Sequence, residues 1–384
     1  MKILLSYEGE NAGRVVEVCV GFKVSDHYTS NYLFLVEEDE KTPRLQAPRF
    51  QEKAFWSLGV LASWGLYMTC IPSVFPLWYP LMKTLVLLDA NHLMHRAYWA
   101  IQRNLSTSSG EQTNAVFGVA SMLLTILRQD SPDAIIACFD EGKETLRHKE
   151  YEEYKAGRQE TPDDFYTQIP RVHQCLEAFA IPILSNPDYE ADDLLGTLAK
   201  KGVAEGFEVI IVTGDKDLFQ MATGPEPSRG ADGHIRIAIP HKGYSEPEYL
   251  DAAGVEEKIG VTPAQVPDYK GLVGDSSDNL KGVMGIGPKG AEKLLQKYQN
   301  LEGVYDHLDE IKGTTKTKLN DDKESAFFCR KMASIITDVS VDVNLKTVSE
   351  TQASVSTLDQ FFAELEFYTL RSRLKKFLEQ KGFA

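Results

Sequence analysis

A chain of 384 residues, 43% hydrophobic and 25% charged, has an ordinary globular composition, which excludes disorder over most of its length. Its net charge of −15 excludes a uniformly basic nucleic-acid coat but leaves room for a local basic stripe, because metal-binding acids count against the total. Five scattered cysteines (Cys19, Cys70, Cys138, Cys175, Cys329), with no CxxC pair, exclude a disulfide framework and a cysteine zinc site, and fit a reducing interior.

Residues 1–81 do not match the rest. The run AFWSLGVLASWGLYMTCIPSVFPLWYP (54–80) carries no charge and is long enough for a bilayer at roughly 20 residues per crossing. Its prolines, glycines and polar residues make it a poor membrane helix, and it lies too far from the N-terminus for a signal peptide. Three readings of this region stand. It is an extension from a reading frame opened too early, with Met82 the natural start; or a membrane anchor; or an accessory domain.

From Met82 onward, three short apolar runs read as strands covered on both faces: TLVLLDAN (84–91), DAIIACFD (133–140) and FEVIIVTGD (207–215). Helical patterns separate them at 115–129, 165–180 and 192–206. This alternation predicts an α/β fold with a parallel-rich central sheet flanked by helices. GPEPSRGADG (224–233) reads as a surface loop. From about residue 255 the pattern turns helical with Gly-rich turns, and it ends in the amphipathic segment 357–380. The expected domains are an extension at 1–81, an α/β catalytic domain at 82–255 and a helical C-terminal region at 256–384.

Each of the three strands ends in an acid: Asp89, Asp140, and Asp215 with Asp217 just beyond. Ligands of open parallel sheets bind outside the carboxyl ends of the strands. YEADDL (189–194) adds Glu190, Asp192 and Asp193, and GDSSDN adds Asp275 and Asp278. Any one of these could be a helix cap, a dipole partner or a turn residue. So many carboxylates converging would repel one another, and divalent cations resolve that conflict. An all-oxygen site without His or Cys suits Mg²⁺ or Mn²⁺. Two such ions about 3.5–4 Å apart suit phosphodiester hydrolysis. No GxSxG, HExxH or GxxxxGK[ST] pattern is present.

FDEGKETLRHKEYEEYKAGR (139–158) follows the second strand. At helical spacing Arg147, Tyr151, Tyr154, Lys155 and Arg158 share one face. Bases interleaved with aromatics suit nucleic acid; the alternative is a solvated helix whose glutamates pair with the bases. Beside a phosphodiester-cleaving metal site the binding face is the expectation. GVMGIGPKGAEKLL (282–295) is a glycine turn leading into a helix at Pro288. Gly282, Gly285 and Gly287 with Lys289 and Lys293 suit a non-specific grip on a DNA backbone.

Residues 82–384 closely resemble the bacterial 5′ nuclease family, which includes the 5′–3′ exonuclease domain of DNA polymerase I and stand-alone flap endonucleases. The resemblance rests on LLDANHLMHRAYWA, GEQTNAVFGV, FDEGKETLRHKEYEEYKAGR, YEADDLLGTLA, VTGDKDLFQ, GLVGDSSDNLKGVMGIGPKGAEKLL and LEFYTL, in that order. It implies a two-metal 5′–3′ exonuclease and 5′-flap endonuclease acting on DNA at junctions of 5′ single strand and duplex, in replication and repair. By the resemblance, Asp89, Asp140, Glu190 and Asp192 hold the first Mg²⁺. Asp215, Asp217 and Asp278 hold the second, with Asp193 and Asp275 close by or ligating through water. Lys155 and Arg158 lie on a helical arch (141–165) and contact the scissile phosphate, with Arg96 also near phosphate. A helix–hairpin–helix at 270–297 holds the duplex, with K⁺ at the turn.

The same resemblance implies a monomer in the cytoplasm, associated with the nucleoid and not with a membrane. It acts on DNA and RNA primers, alone or beside a separate polymerase, since no polymerase segment follows Ala384. Gly290 departs from the Thr common at that place in relatives, while all nine acids are present. The rival readings are a non-catalytic binder of branched DNA, an RNA-directed PIN-like nuclease and a membrane-anchored nuclease, the last resting wholly on residues 54–80.

Overall fold

The computed structural model describes residues 2–6, 15–23 and 29–37. From residue 83 to residue 381 it describes all but 102–104, 142–143, 159, 225–233 and 351–352. The apolar run 54–80 and nearly all of the loop at 224–233 lie outside the described residues. The chain divides into two compact units, Met1–Tyr79 and Pro80–Ala384.

In the first unit, β1 (Lys2–Ser6), β2 (Val15–Lys23) and β3 (Thr29–Glu37) form an antiparallel sheet in that order.

The second unit opens with β4 (Lys83–Asp89), α1 (Ala90–Ala100), α2 (Asn114–Gln129) and β5 (Ala134–Asp140). There follow α3 (Leu146–Glu150), α4 (Asp163–Tyr166), α5 (Ile169–Ala178), β6 (Ile183–Asn186), α6 (Ala191–Ala204) and β7 (Phe207–Val212). The edge strands β8 (Ile235–Ile239) and β9 (Glu248–Leu250) complete a six-stranded sheet of order β6-β5-β4-β7-β8-β9. All its pairs are parallel except β8 with β9. The chain winds outward from β4 to β5 and β6, then returns to the other side of β4 as β7. The strand order therefore reverses at β4, and the crevice at its carboxyl end is the natural ligand site.

Strand alternation explains the double burial. In β4, Val86 and Leu88 enter one core with α1, α2 and α5, whereas Leu85 and Leu87 enter another with α6. Each fully buried aliphatic side chain stabilises by about 1.5–3 kcal/mol. The predicted helix at 165–180 is two pieces. Pro170, near the start of α5, has no N–H to continue the turn from α4.

The remaining helices are α7 (Ala252–Ile259), α8 (Val266–Val273), α9 (Pro288–Tyr298), α10 (Leu301–Asp306), α11 (Thr314–Asp321), α12 (Lys323–Ala333), α13 (Leu345–Glu350), α14 (Val355–Glu364) and α15 (Tyr368–Lys381). Helices α8 to α12 pack a separate core around Leu272, Val283, Ala291, Leu295 and Leu319. Helices α14 and α15 return to the sheet, where Phe362 and Leu370 join the core above α2. Among the described residues no helix is long and apolar enough to cross a membrane, and Cys138, Cys175 and Cys329 are free and buried.

Candidate active site

The acids at the strand ends are oriented by local hydrogen bonds. Asp89 closes β4 and caps α1: its Oδ1 accepts from the His92 N–H at 3.0 Å, and its Oδ2 accepts from the Thr213 hydroxyl at 2.7 Å. Asp140 closes β5 and accepts from the N–H of Ala191, the first residue of α6, at 2.7 Å. Asp192 stands in the first turn of α6. After β7, Thr213 Oγ1 accepts from the Asp215 N–H at 3.0 Å, and Asp215 Oδ1 accepts from the Asp217 N–H at 2.9 Å.

The electrostatics show that these acids converge. Burial pushes the Asp192 carboxyl well above its usual range, and Asp215, Asp89 and Asp140 push it further. Asp89 is raised mainly by burial, against the pull of His92 and Thr213. The buried Cys138 thiol is raised by burial and by three surrounding acids, Asp89, Asp192 and Asp140. Four carboxylates therefore share the crevice at the switch point.

A second group lies beside it. Asp217, Asp275 and Asp278 present oxygens that all lie within 4.8 Å of one another. Asp275 is held by Ser277, whose N–H and hydroxyl donate to Oδ1 at 2.8 and 2.5 Å. Lys270, from the last turn of α8, projects between two of these acids. Its Nζ lies 2.5 Å from Asp217 Oδ1 and also donates to Asp275 Oδ2. Burial pushes Asp217 up to about 7, with Lys270 opposing and Asp215 adding to the rise. Burial also acts upward on Asp275, but the Lys270 and Ser277 bonds outweigh it and hold that carboxyl below the usual range. Both groups offer only carboxylate oxygens, the donor chemistry of Mg²⁺, Mn²⁺ or Ca²⁺ sites, and those of the second group are set closely enough to share one ion. These residues fit divalent ions. Lys270 and Thr213 were missed by sequence reasoning; nothing local distinguishes either from an ordinary helix or loop residue.

The expected helical face over 147–158 is corrected. Helix α3 ends at Glu150, Tyr151 is extended, and the chain turns through 152–157 with Lys155 at φ +59°. Pairing with acids draws the segment down onto the site. Lys155 Nζ donates to Glu190 Oε1 at 2.9 Å, and Arg158 Nη2 donates to Asp278 Oδ1 at 2.7 Å. Tyr154 is buried, and its hydroxyl lies 3.2 Å from Glu190 Oε2 and 3.1 Å from Asp278 Oδ2. Tyr154 is thus a bridge between acids, not an exposed stacking platform. Tyr151 is half-buried, edge-on to Phe328, with its hydroxyl 3.3 Å from the Asn279 carbonyl.

Arg147 is also corrected. It is 9% exposed, beneath the site. Nη1 and Nη2 donate to the two oxygens of Asp193 at 2.6 and 2.8 Å, while Nε and Nη2 donate to the carbonyls of Met332 and Ser334. Asp193 is wholly buried and also accepts from the N–H groups of Ile336 and Glu190. Both of its oxygens are taken up, so Asp193 is a structural anchor and not a metal ligand. Arg96 is half-buried on α1 and makes no ion pair among the described residues.

Helix α8, the turn at 274–287 and helix α9 form a helix–hairpin–helix. Gly274 (φ +80°) and Gly282 pack back to back: a Cβ on Gly282 would collide with the Gly274 nitrogen and reach 2.7 Å from the Leu272 carbonyl. Gly282 therefore closes the hairpin and is not open to a ligand. The Gly285 carbonyl accepts from Lys318 Nζ at 3.1 Å. Gly287, Lys289 and Lys293 are exposed at the start of α9, and the two lysines lie one turn apart.

The family model described as 5′–3′ exonuclease, N-terminal resolvase-like domain, matches residues 84–260, and that described as 5′–3′ exonuclease, C-terminal SAM fold, matches residues 261–356. The chain is 40% identical over 293 residues to DNA polymerase I of Bacillus subtilis, covering 76% of this chain and 32% of the relative. It is 38% identical over 292 residues to DNA polymerase I of Caldicellulosiruptor bescii, covering 76% and 33%. It thus spans about a third of the length of these relatives. Among solved structures, the zinc-bound T5 5′-exonuclease matches with a TM-score of 0.54 at 18% identity, covering 77% of this chain and 99% of that one. A complex of the T5 D15 flap endonuclease with DNA and metal ions matches at 0.52 and 20% identity, covering 77% and 98%. At that identity the likeness establishes the shared fold.

Proposed function

This chain belongs to the bacterial 5′ nuclease family, and from that premise we propose that it is a divalent-metal-dependent 5′–3′ exonuclease and 5′-flap endonuclease hydrolysing DNA phosphodiesters. The observation that carries the reading is the gathering of Asp89, Asp140, Asp192 and Asp215 at the sheet's switch point, beside Asp217, Asp275 and Asp278. Two Mg²⁺ ions, with Mn²⁺ as substitute, are the cofactors. Asp89, Asp140 and Asp192 with Glu190 would hold the first, joined by Asp215, which the resemblance gave to the second. Asp217 and Asp278 would hold the second, joined by Asp275, which the resemblance left close by. Bound there, such ions supply a hydroxide nucleophile and stabilise the leaving oxygen.

The chain's own residues do the rest. Lys155 and Arg158, which neutralise Glu190 and Asp278, turn to the scissile phosphate when substrate and ions enter. Arg96 stands on the adjoining helix as a further phosphate partner. The hairpin and the Lys289–Lys293 face grip duplex backbone, with K⁺ at the turn. The T5 enzymes whose fold this chain shares bind divalent metal ions, and one has been captured with DNA, which supports both assignments. A monomeric enzyme in the cytoplasm, trimming flaps and RNA primers beside a polymerase, completes the proposal.

Cleavage of a labelled 5′-flap duplex, with and without Mg²⁺, tests it. Wild type should cut only with the ion, and Asp217→Ala and Lys155→Ala should each lose about 100-fold or more. Full-rate cleavage by Asp217→Ala would overturn the two-ion assignment.

A further inference from the structure

A cleft of 110 Å³ opens between α2 and α15, lined by Leu124, Arg128, Arg373, Lys376 and Phe377. Three of its five lining residues are cationic and none is acidic, in a chain whose net charge is −15. Leu124 and Phe377 are its apolar members. Arg373 is half-buried and held rigidly by neutral acceptors. Nη1 donates to Ser121 Oγ at 2.6 Å, and Nη2 donates to the Ser121 carbonyl at 3.1 Å and to Thr125 Oγ1 at 2.9 Å. These bonds fix the guanidinium without cancelling its charge. Burial and then Arg128 depress the Arg373 pKa, the mark of a cation crowded by a like charge. Arg128 and Lys376 are exposed and make no ion pair among the described residues.

Like charges set together beside apolar surface are unfavourable unless an anion joins them. We propose that this cleft is a phosphate-binding site, in which Arg128, Arg373 and Lys376 converge on one phosphate group, either free or within a nucleic-acid backbone. A guanidinium held in a fixed plane suits phosphate oxygens, and a flexible ammonium completes the charge. The site is remote from the acids. Arg128 stands in the last turn of α2, just before the chain enters β5 at its amino end. The acids lie at the carboxyl end of that strand, roughly 20 Å away at about 3.3 Å per residue. Binding here adds affinity without touching the chemistry, and it stands whether or not the chain cuts DNA.

The test compares the chain with its Arg128→Glu/Lys376→Glu variant, both in a Lys155→Ala/Arg158→Ala background so that the basic pair over the acids adds no anion response. Both reversed positions are exposed, so equal melting temperatures in chloride will show that the fold is kept. Inorganic phosphate, a few-fold above its Kd, should raise the Tm of the parent by about 2 °C over chloride at the same ionic strength, and this rise should vanish in the variant. An Arg128→Lys/Lys376→Arg variant should retain it. An equal rise in the charge-reversed variant, or an equal rise with chloride, would overturn the proposal. A second arm titrates a short single-stranded oligonucleotide against salt. If the slope of log K on log[salt] falls by about 1 or more in the charge-reversed variant, the phosphate belongs to a nucleic-acid backbone. If only the inorganic-phosphate response is lost, the site takes a free phosphate.

Discussion

Lys270 Nζ lies 2.5 Å from Asp217 Oδ1, so a lysine of the C-terminal helices provides the counter-charge for an acid in the turn that follows β7. It also bonds Asp275, and thus addresses two of the three acids assigned to the second ion. A lysine ammonium and a divalent cation compete for the same oxygens. Lys270→Met keeps the length and removes the charge. Calorimetric titration with Mn²⁺ should then show second-site binding tighter on the order of tenfold, equivalent to about 1.4 kcal/mol. Without divalent ions the variant should melt below wild type, because two partly buried carboxylates lose their partner. An unchanged isotherm would remove Lys270 from the account of ion binding.

Arg147 joins α3 to Asp193 and to the carbonyls of Met332 and Ser334, so its contribution is to stability. Arg147→Met leaves Asp193 a buried charge without its main partner, a change that destabilises by about 3–5 kcal/mol. Arg147→Lys should recover little, because an ammonium cannot span both oxygens. Denaturant unfolding measures the loss. The salt dependence of DNA binding by whatever remains folded should match wild type, and a reduced slope would restore Arg147 to the DNA-contacting face.

The contrast between these two residues shows what was legible in the sequence. The strand-end acids were readable because a continuous apolar run with an Asp at or just beyond its end is a local pattern, and Asp89, Asp140 and Asp215 follow from it. The parallel sheet followed from strand–helix alternation, but β8 and β9, of five and three residues, are too short to carry a pattern. Arg147 was misplaced because helical spacing was extended past Tyr151. The break there is enforced by partners far along the chain, Glu190 for Lys155 and Asp278 for Arg158. Lys270 was invisible for the same reason: its partner Asp217 lies far away along the chain, and only the tertiary fold brings the two together.

Asp192 faces Asp89, Asp140 and Asp215, and its pKa is raised by burial and by their repulsion. Such a site trades stability for ion binding. In EDTA, Asp192→Asn should therefore melt a few degrees above wild type, since the neutral amide ends the repulsion. In Mg²⁺ the advantage should disappear, and flap cleavage should be lost. Thermal melts in the two buffers check this. A variant less stable than wild type in EDTA would mean that the carboxylates are already balanced by the protein's own cations.

The exposed lysines of α9 give the duplex grip its own test. Lys289 and Lys293 stand one turn apart next to Gly287, at a helix start where free N–H groups and positive charge favour phosphate. Lys289→Glu/Lys293→Glu removes two phosphate contacts and adds two repulsions on a surface with no buried role, so the fold should be untouched. Affinity for a flap duplex should fall at every sequence alike, and the slope of log K on log[salt] should become shallower by about 2. Because the acids and the Lys155–Arg158 pair are unaltered, the single-turnover rate at saturating DNA should match wild type. Filter binding across a salt series and rapid-quench kinetics separate the two quantities. A preserved slope would place the duplex elsewhere on the protein, whereas an equal fall in the saturated rate would mean that the hairpin positions the scissile phosphate as well as holding the duplex.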